Sequence, residues 1–463
     1  MMRLHINLAT AVKSILHSAF VVLILLPCLQ AGESEEKYRE LLAPAPRVSD
    51  SENAWLIMKD LPPFEVSGQF RRELLMVFPE EATADKKAGV DRKVLNAHLE
   101  ANAKLLELGK EVLKRRGWNR PYRTNFQKED DSFLGFSSFL RRTMMEMTIS
   151  FSTAQEGRVF TGWSSLMAEM KFDQQISNSG GTVLDTLVAS AMLRLGARYA
   201  GWIGQMATDA KTAKEFAGNL LAFEELEKPL AATLKGEFNS GQNTFLLCRA
   251  GGEPLKRTVV EYQLMTKKFR VPSATDAPQS EVSQEETVES WMENSPPEVL
   301  ADIEAIKKFD FDALQEESMK EYGEAISKPA ATWVDFRKNF PDYGSSLIDL
   351  ANFKATFNES LQASLNEKSI TVPALYKVLF TTLAQVRLAR IGLLVKAWQL
   401  DHAGELPESL QQLVPEYLDA VPIDPFDGHP LRYDKKARKL WSESKSLADK
   451  NHQLEEILQI LVE

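Results

Sequence analysis

The sequence is poor in cysteine: Cys28 and Cys248 are the only two among 463 residues. Cys28 falls in an apolar run near the N-terminus, so a chain that loses this run keeps a single thiol. This excludes an internal disulfide framework of the kind that holds small secreted domains together. Cys248 follows Leu246 and Leu247, and a lone cysteine in apolar surroundings predicts a small buried side chain rather than a nucleophile.

An excess of positive charge is also missing. The chain has 65 acidic and 55 basic residues, and its formal net charge is −10. A protein that binds DNA or RNA needs a basic face to contact the phosphates, so we expect no nucleic-acid partner. With 44% hydrophobic residues, the chain is still long and apolar enough to bury a large core, which excludes disorder of the whole.

Sequence signatures of catalysis and cofactor binding are absent. There is no Gly-x-Ser-x-Gly elbow, phosphate-binding loop or dinucleotide fingerprint. The histidines beyond the N-terminal run have no second histidine or cysteine at the spacing of zinc ligands; they are His98, His402, His429 and His452. We therefore predict no metal and no cofactor. Catalytic residues stay unknown, and the sequence does not decide whether the protein is an enzyme.

The N-terminus combines a charged segment with a short apolar one. Arg3 and Lys13 precede the apolar run of residues 18–29, and Ala31 follows it. Cleavage after Ala31 fits a secretory signal peptide over residues 1–31, which predicts an exported protein that contacts a membrane at least during export. The run is shorter than the roughly 20 residues of a spanning helix. Retention as an anchor in the inner membrane is the alternative, and either way the bulk of the chain lies in the periplasm or outside the cell.

The composition favours helices, because Leu, Ala, Glu, Lys and Met are plentiful. The predicted fold class is therefore mainly α, a multi-helix body. Two segments, Thr182–Ala207 and Ala374–Leu400, are apolar around nearly the whole helix and predict helices in the core. Residues 32–271 form the predicted helical domain. Within it, β-branched and aromatic side chains on either side of a Gly-Gly pair predict a short strand pair near residues 243–271, as a strand-containing insertion.

An acidic segment divides the chain. From Asp276 to Glu304 there are nine acidic residues and no lysine or arginine, with Pro, Ser and Thr between them. This composition is typical of a solvated linker or long loop, which we place at residues 272–298. Residues 299–463 then form a second helical segment that ends in a small C-terminal module.

Two arginines interrupt the apolar surface of the predicted core helix Thr182–Ala207. Arg194 and Arg198 lie four residues apart and therefore on one face of the helix. Each must either pair with a buried carboxylate or face a cavity that receives an anion, because an unpaired buried charge is costly. These two residues are the candidate contacts for an anion or another ligand. The alternative, a structural ion pair, is the reading that the pattern favours.

The C-terminal module has a defined order of elements. The helix Ala374–Leu400 is followed by Gly-x-Leu-Pro-x-Ser-Leu from Gly404 and by Val-Pro-x-Asp-Pro-Phe-Asp-Gly-x-Pro-Leu-x-Tyr from Val421. The prolines stiffen the turn. Residues 431–433 and 439–441 predict the two short strands of a β-hairpin.

This order, over about Ala374 to Ser444, resembles the C-terminal part of a group of uncharacterised exported proteins of planctomycete type. It is also similar to the end of type II secretion pseudopilins, in which a long helix leads into a proline-rich turn and a small sheet. The resemblance implies a structural module and no enzymatic activity. The pseudopilin helix continues from the N-terminal membrane anchor, whereas here the two are far apart in the chain.

Three aspartates of the module, Asp424, Asp427 and Asp434, could gather oxygen ligands for calcium. Asp-Pro and Asp-Gly are also ordinary turn sequences, in which the carboxylate accepts hydrogen bonds from nearby amides. We favour the turn role and predict no calcium site.

Three functions are compatible with these observations. The first hypothesis is a non-catalytic exported protein with a binding or assembly role in the cell envelope and an envelope protein as its partner. The second is a hydrolase of an envelope polymer, whose paired carboxylates come from distant parts of the helical body. The third is a pseudopilin-related secretion component, which requires that the N-terminal helix stays in the membrane.

Overall fold

A computed structural model describes residues 38–44, 48–63, 92–118, 132–269, 288–341, 358–359, 361–362, 371–443 and 459–461. The predicted signal peptide of residues 1–31 lies outside them. As predicted, the described residues are mainly helical, with a small antiparallel hairpin near the C-terminus.

The helices fall into two runs along the chain. The first comprises α1 Trp55–Met58, α2 Arg92–Ala101, α3 Ala103–Leu113, α4 Ser132–Gln155, α5 Val159–Ser177, α6 Val183–Gly204 and α7 Ala210–Leu220. The second comprises α8 Glu227–Ala250, α9 Gly252–Phe269, α10 Val288–Glu293, α11 Pro297–Ile306, α12 Phe311–Ser327, α13 Trp333–Asn339 and α14 Thr371–Asp401. Single 3₁₀ turns occupy Leu221–Phe223 and Leu410–Leu413.

The strand pair predicted near residues 243–271 is wrong, because α8 and α9 occupy this stretch as two helices. Gly251 joins the two helices and Gly252 is the first residue of α9, with φ of 65° and 55° respectively. The apolar side chains of this stretch are buried at helical spacings, as Phe245, Cys248, Leu255, Val259 and Tyr262. Their burial in the core outweighs the weak strand preference of β-branched and aromatic residues.

The predicted acidic linker at residues 272–298 lies mostly outside the described residues. Its last part is helix rather than loop: α10 begins at Val288, and Trp291 is buried against the core. Helices from both sides of this segment pack together, and the rings of Phe245 and Phe311 have centroids 4.9 Å apart. The division into domains at residues 32–271 and 299–463 stays a prediction.

The core helix predicted at Thr182–Ala207 is confirmed as α6, which lies between α5 and α14. At Gly196 an added Cβ would lie 2.5 Å from Met170 of α5, and at Gly204 it would lie 1.7 Å from Leu393 of α14. The missing side chains at these positions let the helices approach closely. Thr148 and Tyr199 add a buried hydrogen bond of 2.9 Å between α4 and α6.

The second predicted core helix is confirmed as α14. Within the described ranges it is the one helix long and apolar enough to cross a membrane, with a mean hydropathy of 1.6 over its best window. Of that window, 89% is buried among the other elements. A core helix of a water-soluble protein meets the same criterion, and the packing of α14 is that of a core helix.

The predicted C-terminal hairpin is confirmed. Strand β1 covers Arg432–Asp434 and pairs antiparallel with β2, Lys439–Trp441, with Tyr433 opposite Leu440. A third strand, β3 at Gln459–Leu461, pairs with the other edge of β2. The module thus follows α14 as a 3₁₀ turn, a proline-rich loop and a small sheet.

Candidate functional site

The arginines predicted as ligand contacts lie one turn apart on α6, and both side chains are partly buried. Burial and the positive charge of Arg198 lower the pKa of Arg194 to about 10. Within the described part of the chain, Arg194 forms no ion pair with a carboxylate. Arg194 therefore does not form the structural ion pair that the sequence favoured with any described residue. That Arg194 contacts an anion stays a prediction.

The histidines are dispersed over different elements. His98 is buried on α2, and His402 stacks on Trp398 at the end of α14 with ring centroids 3.8 Å apart. His429 lies in the loop before β1. His452 lies outside the described residues.

A buried ion pair, which we did not predict, joins α4 to α5. Arg142 donates to both oxygens of Glu169, from Nη1 at 2.7 Å and from Nη2 at 2.6 Å. Arg142 is 0% exposed and Glu169 3%. The guanidinium also lies against α3, where a Cβ added to Gly109 would be 2.2 Å from Nε. The bidentate pair thus connects three helices.

A second buried carboxyl follows one turn later on α5. Asp173 is 1% exposed, and its oxygens have no hydrogen-bond partner among the residues described. Burial and the nearby charge of Glu169 raise the pKa of Asp173 well above its ordinary value. Burial also raises the pKa of Glu169 to about 7, against the lowering effect of Arg142. Glu169 is therefore the partner of Arg142, and the surroundings of Asp173 favour its protonated form.

These two carboxyls bear on the hydrolase hypothesis. A glycosidase needs two carboxyls that face a substrate, and one of them must have a raised pKa. Glu169 and Asp173 satisfy the second condition. They lie on one helix and are almost completely buried, so a substrate could reach them only if the packing opened. The geometry is that of a structural cluster rather than of acids gathered from distant elements around a cleft.

Two carboxylates accept hydrogen bonds from backbone amides at the N-terminus of α6. Glu237 of α8 accepts the N–H of Val183 at 2.8 Å, and Asp185 accepts the N–H of Thr182 at 2.8 Å. Negative charge is favourable at this end of a helix. Glu237 is 0% exposed, and its burial together with the charge of Asp185 raises the pKa of Glu237 to about 8.

Glu237→Gln should flatten the pH dependence of stability. The pKa of Glu237 is about 8 in the folded protein and about 4.5 in the unfolded chain, so the folded state binds the proton more tightly. Its contribution to stability is complete below about pH 4.5 and is lost as the pH rises through 8. Glutamine keeps an oxygen for Val183 and carries no charge. In urea denaturation, the wild type should lose about 1 to 3 kcal/mol more than the variant between about pH 5 and pH 8.

The control for this prediction is Glu253→Gln, which removes an exposed glutamate on α9. Its stability should follow the wild-type pH profile. Equal slopes for Glu237→Gln and Glu253→Gln would contradict the role assigned to Glu237.

A second charged cluster attaches the C-terminal module to the body. Glu224, just after the first 3₁₀ turn, accepts from Arg387 Nε at 3.1 Å and from Arg390 Nε, both on α14. Arg387 also donates from Nη1 to the carbonyl of Ile423 at 2.8 Å. At a neighbouring point, the N–H of Trp333 donates to the carbonyl of Pro425 at 2.7 Å. The proline-rich loop is thus bonded to both α14 and α13.

Within the module, Asp424 is fully buried and accepts four hydrogen bonds. The donors are Phe426 N at 3.0 Å, Ser442 Oγ at 2.8 Å, Arg432 Nη1 at 2.7 Å and Glu443 N at 2.6 Å. Arg432 also binds Asp427, whose pKa is lowered by this arginine against the raising effect of burial. In all these contacts the carboxylates accept from N–H or O–H donors. Asp424 and Asp427 thus stabilise the turn, which is the role predicted for them.

The third aspartate of the loop has a separate place. Asp434 is exposed at the end of β1, and its Oδ1 accepts the N–H of Ala437 at 2.8 Å in the hairpin turn. It lies apart from the bonds around Asp424, so the three predicted oxygen donors are not gathered as one group.

A cleft lies where α5, α6 and α14 meet the segment that follows α7. Its cavity volume is about 20 Å³, which has room for about one water molecule. Its lining includes Asn178, Ser190, Phe223, Glu225 and Thr382. Arg194 and Arg198 do not line it.

Comparison of the chain with protein-family models, with curated proteins and with solved structures finds no match. Any assignment of function therefore depends on the residues and contacts of this chain.

The sequence contained a signal for one of the unpredicted clusters. Arg142 lies in a helix crowded with Phe, Leu and Met, which is the same pattern that identified Arg194 and Arg198. The partners Glu169 and Glu237 gave no comparable signal. Each is one of many acidic residues on helices, and only the packing of α5 and α8 places them opposite a guanidinium or a helix terminus.

Proposed function

We propose that this protein is exported and has a non-catalytic binding or assembly role in the cell envelope. The observation that supports this most directly is the use of its carboxylates. Glu169 is bound by Arg142, Glu224 by two arginines of α14, and Asp424 by Arg432. These acidic groups hold elements together and are not presented to a substrate.

The way in which the module is attached supports an assembly role. The proline-rich loop is bonded to α13 and α14, and the buried carboxylate of Asp424 joins this loop, at Phe426, to the end of the hairpin, at Glu443. The sheet is therefore held in a fixed position at the end of the core helix. A fixed surface module suits recognition, because little ordering entropy is lost on binding.

The proposal can be tested by the size of the native complex. The full chain with its leader is expressed in a Gram-negative host, and its mass is measured after mild extraction of the envelope. We expect a complex larger than the monomer. Val334 and Ile423 are exposed apolar residues close in the chain to the Trp333–Pro425 contact, so the double variant Val334→Asp with Ile423→Asp should reduce the complex to the monomer.

The matched control is the double variant Leu246→Asp with Leu300→Asp, which changes two exposed apolar residues on α8 and α11. This control should keep the large complex. A monomer in the wild type, or an equal loss in both double variants, would contradict an assembly role of the module.

The hydrolase hypothesis keeps one observation in its favour, the raised pKa values of Glu169 and Asp173. Its test is the release of soluble fragments from purified cell-wall polymer by the full chain. Our proposal predicts no release above the buffer control. Release that Asp173→Asn abolishes would establish the hydrolase instead.

A pseudopilin-related component is the remaining alternative. The order of α14, loop and hairpin supports this alternative, because the end of type II secretion pseudopilins has the same order of elements. It also requires an uncleaved N-terminal helix in the membrane. Cleavage of the leader in the host would exclude it.

A further inference from the structure

We propose that α4 and α5 form a proton-dependent latch, which is closed while the carboxyl group of Asp173 carries a proton and opens when that proton is lost. The inference concerns the conformation of the helical body and goes beyond the binding or assembly role proposed above. It starts from the way in which the two helices are joined and from the charges buried between them.

Helices α4 and α5 form an antiparallel hairpin whose two ends are held together differently. Near the turn the helices are in close contact, because a Cβ added to Gly162 would lie 2.3 Å from the carbonyl oxygen of Ser150. At the end remote from the turn, the buried pair of Arg142 and Glu169 joins them, and Asp173 lies one helical turn further along α5. The contact at the remote end therefore depends on ionisable groups.

The charges at this end balance only if one carboxyl is neutral. The guanidinium of Arg142 lies 2.6 Å from Glu169 and 3.8 Å from Glu146. Arg142 and Glu169 neutralise each other, and the Glu146 side chain is 16% exposed, so it keeps contact with water. Asp173 is 1% exposed and has no hydrogen-bond partner for either oxygen among the residues described. An ionised Asp173 would thus be a buried charge that no partner compensates.

The other helices that pack against α5 do not supply the missing charge. The charged groups that act on Asp173 are Glu169 on its own helix and Arg142 on α4, and the described residues of α3, α6 and α8 add no cation to them. Burial and the charge of Glu169 outweigh Arg142 and raise the pKa of Asp173 well above its ordinary value. The closed arrangement is therefore fully stabilised below about pH 3.8, and this stabilisation is lost as the pH rises through the raised pKa.

Opening of the latch would expose aromatic side chains next to Asp173. The ring of Phe172 lies against Phe139 of α4, with centroids 5.3 Å apart, and against Trp118, with centroids 6.4 Å apart. All three rings are buried in the closed arrangement. Separation of the remote helix ends brings water to the Asp173 carboxylate and to these rings. Exposed backbone amides and exposed apolar surface are therefore the two signals of the open state.

The test is hydrogen exchange of the full chain at pH 5 and pH 9, with protection factors corrected for the intrinsic exchange rate. We expect protection over residues 138–146 and 166–176 to fall at least about tenfold at pH 9, because loss of one proton weakens the closed state by up to about tenfold per pH unit above the pKa. Protection of α14 should fall less. A dye that fluoresces on apolar surface should give a stronger signal at pH 9 than at pH 5.

Asp173→Asn is uncharged at both pH values and should keep both signals nearly constant between them. If this variant does not fold, Asp173→Ala takes its place with the same expectation. The matched control is Glu237→Gln, which removes another buried carboxyl with a raised pKa, at the N-terminus of α6. It should keep the wild-type loss of protection in α4 and α5.

Three results would overturn the latch. The first is equal protection of α4 and α5 at the two pH values in the wild type. The second is the same loss of protection in Asp173→Asn as in the wild type. The third is an equal loss in every helix, because this would show unfolding of the whole protein rather than opening between α4 and α5.

Discussion

Arg142→Met should lower the free energy of unfolding by about 3 to 5 kcal/mol at pH 8, the range found when one partner of a buried ion pair is removed. Glu169 would then stay buried without its bidentate partner. The loss should be smaller at pH 5, because a buried carboxyl without a counter-charge binds a proton and so loses its unpaired charge. Without Arg142, the pKa of Glu169 in the folded variant rises further above its value in the unfolded chain. The folded state then binds the proton more tightly than the unfolded chain, so the stability of the variant decreases as the pH increases. Urea denaturation at the two pH values measures both effects.

Two further variants make this prediction specific. Arg158→Met removes an exposed ion pair with Glu156, in which the arginine side chain is 61% exposed, and should cost less than about 1 kcal/mol. Combining Arg142→Met with Glu169→Leu should restore most of the stability, because no unpaired charge remains buried. Equal losses for Arg142→Met and Arg158→Met would show that the buried pair has no special role.

Asp424→Asn should loosen the C-terminal module internally, between its proline-rich loop and its hairpin, at a cost of about 3 kcal/mol, since hydrogen bonds to a charged group contribute about 1.5 to 3 kcal/mol each. The amide oxygen can still accept from Phe426 and Ser442. The amide nitrogen would face Arg432 Nη1 and the N–H of Glu443, which are both donors. Hydrogen exchange over residues 422–443 should increase strongly, while α6 keeps its protection.

Asp434→Asn is the control for the module. Among the described residues, its side chain accepts one hydrogen bond, from Ala437 in an exposed turn, and asparagine can accept the same bond. Exchange in the module should therefore stay as in the wild type. Unchanged exchange in Asp424→Asn would mean that the module does not depend on the carboxylate.

The apolar patterns of the sequence predicted the two central helices, and the reason is physical. The segments of α6 and α14 are apolar around most of their circumference, and only a helix surrounded by other elements buries such a surface. Turn chemistry also predicted the hairpin, because the prolines and the Asp-Gly pair of the loop restrict the backbone before β1.

The strand pair near residues 243–271 was wrong for a related reason. The prediction was based on the local strand preference of Val259, Val260 and Tyr262. It did not take into account that the apolar residues of α8 and α9 recur at helical spacing. Strand preference depends on packing and is easily overridden by tertiary contacts. A count of apolar spacings across the whole stretch would have favoured two helices joined at Gly251 and Gly252.

The charged partners could not be predicted from the sequence. The apolar setting of Arg142 is visible in the sequence, but its partner Glu169 is set by the packing of α4 against α5. The same holds for Glu224, whose partners Arg387 and Arg390 follow it by 163 and 166 residues in the chain. Ser190 is a further case: its buried Oγ has no hydrogen-bond partner among the described residues, which is a property of the packing and has no sequence pattern.

The central claim, that this is an exported protein of the cell envelope, is tested most directly by fractionation and N-terminal sequencing of the chain expressed with its native leader in a Gram-negative host. We predict a periplasmic or envelope-bound product that begins at Gly32, and an uncleaved product held in the inner membrane would keep the envelope assignment with residues 18–29 as the anchor. A full-length product that begins at Met1 and remains in the cytosol would contradict the account.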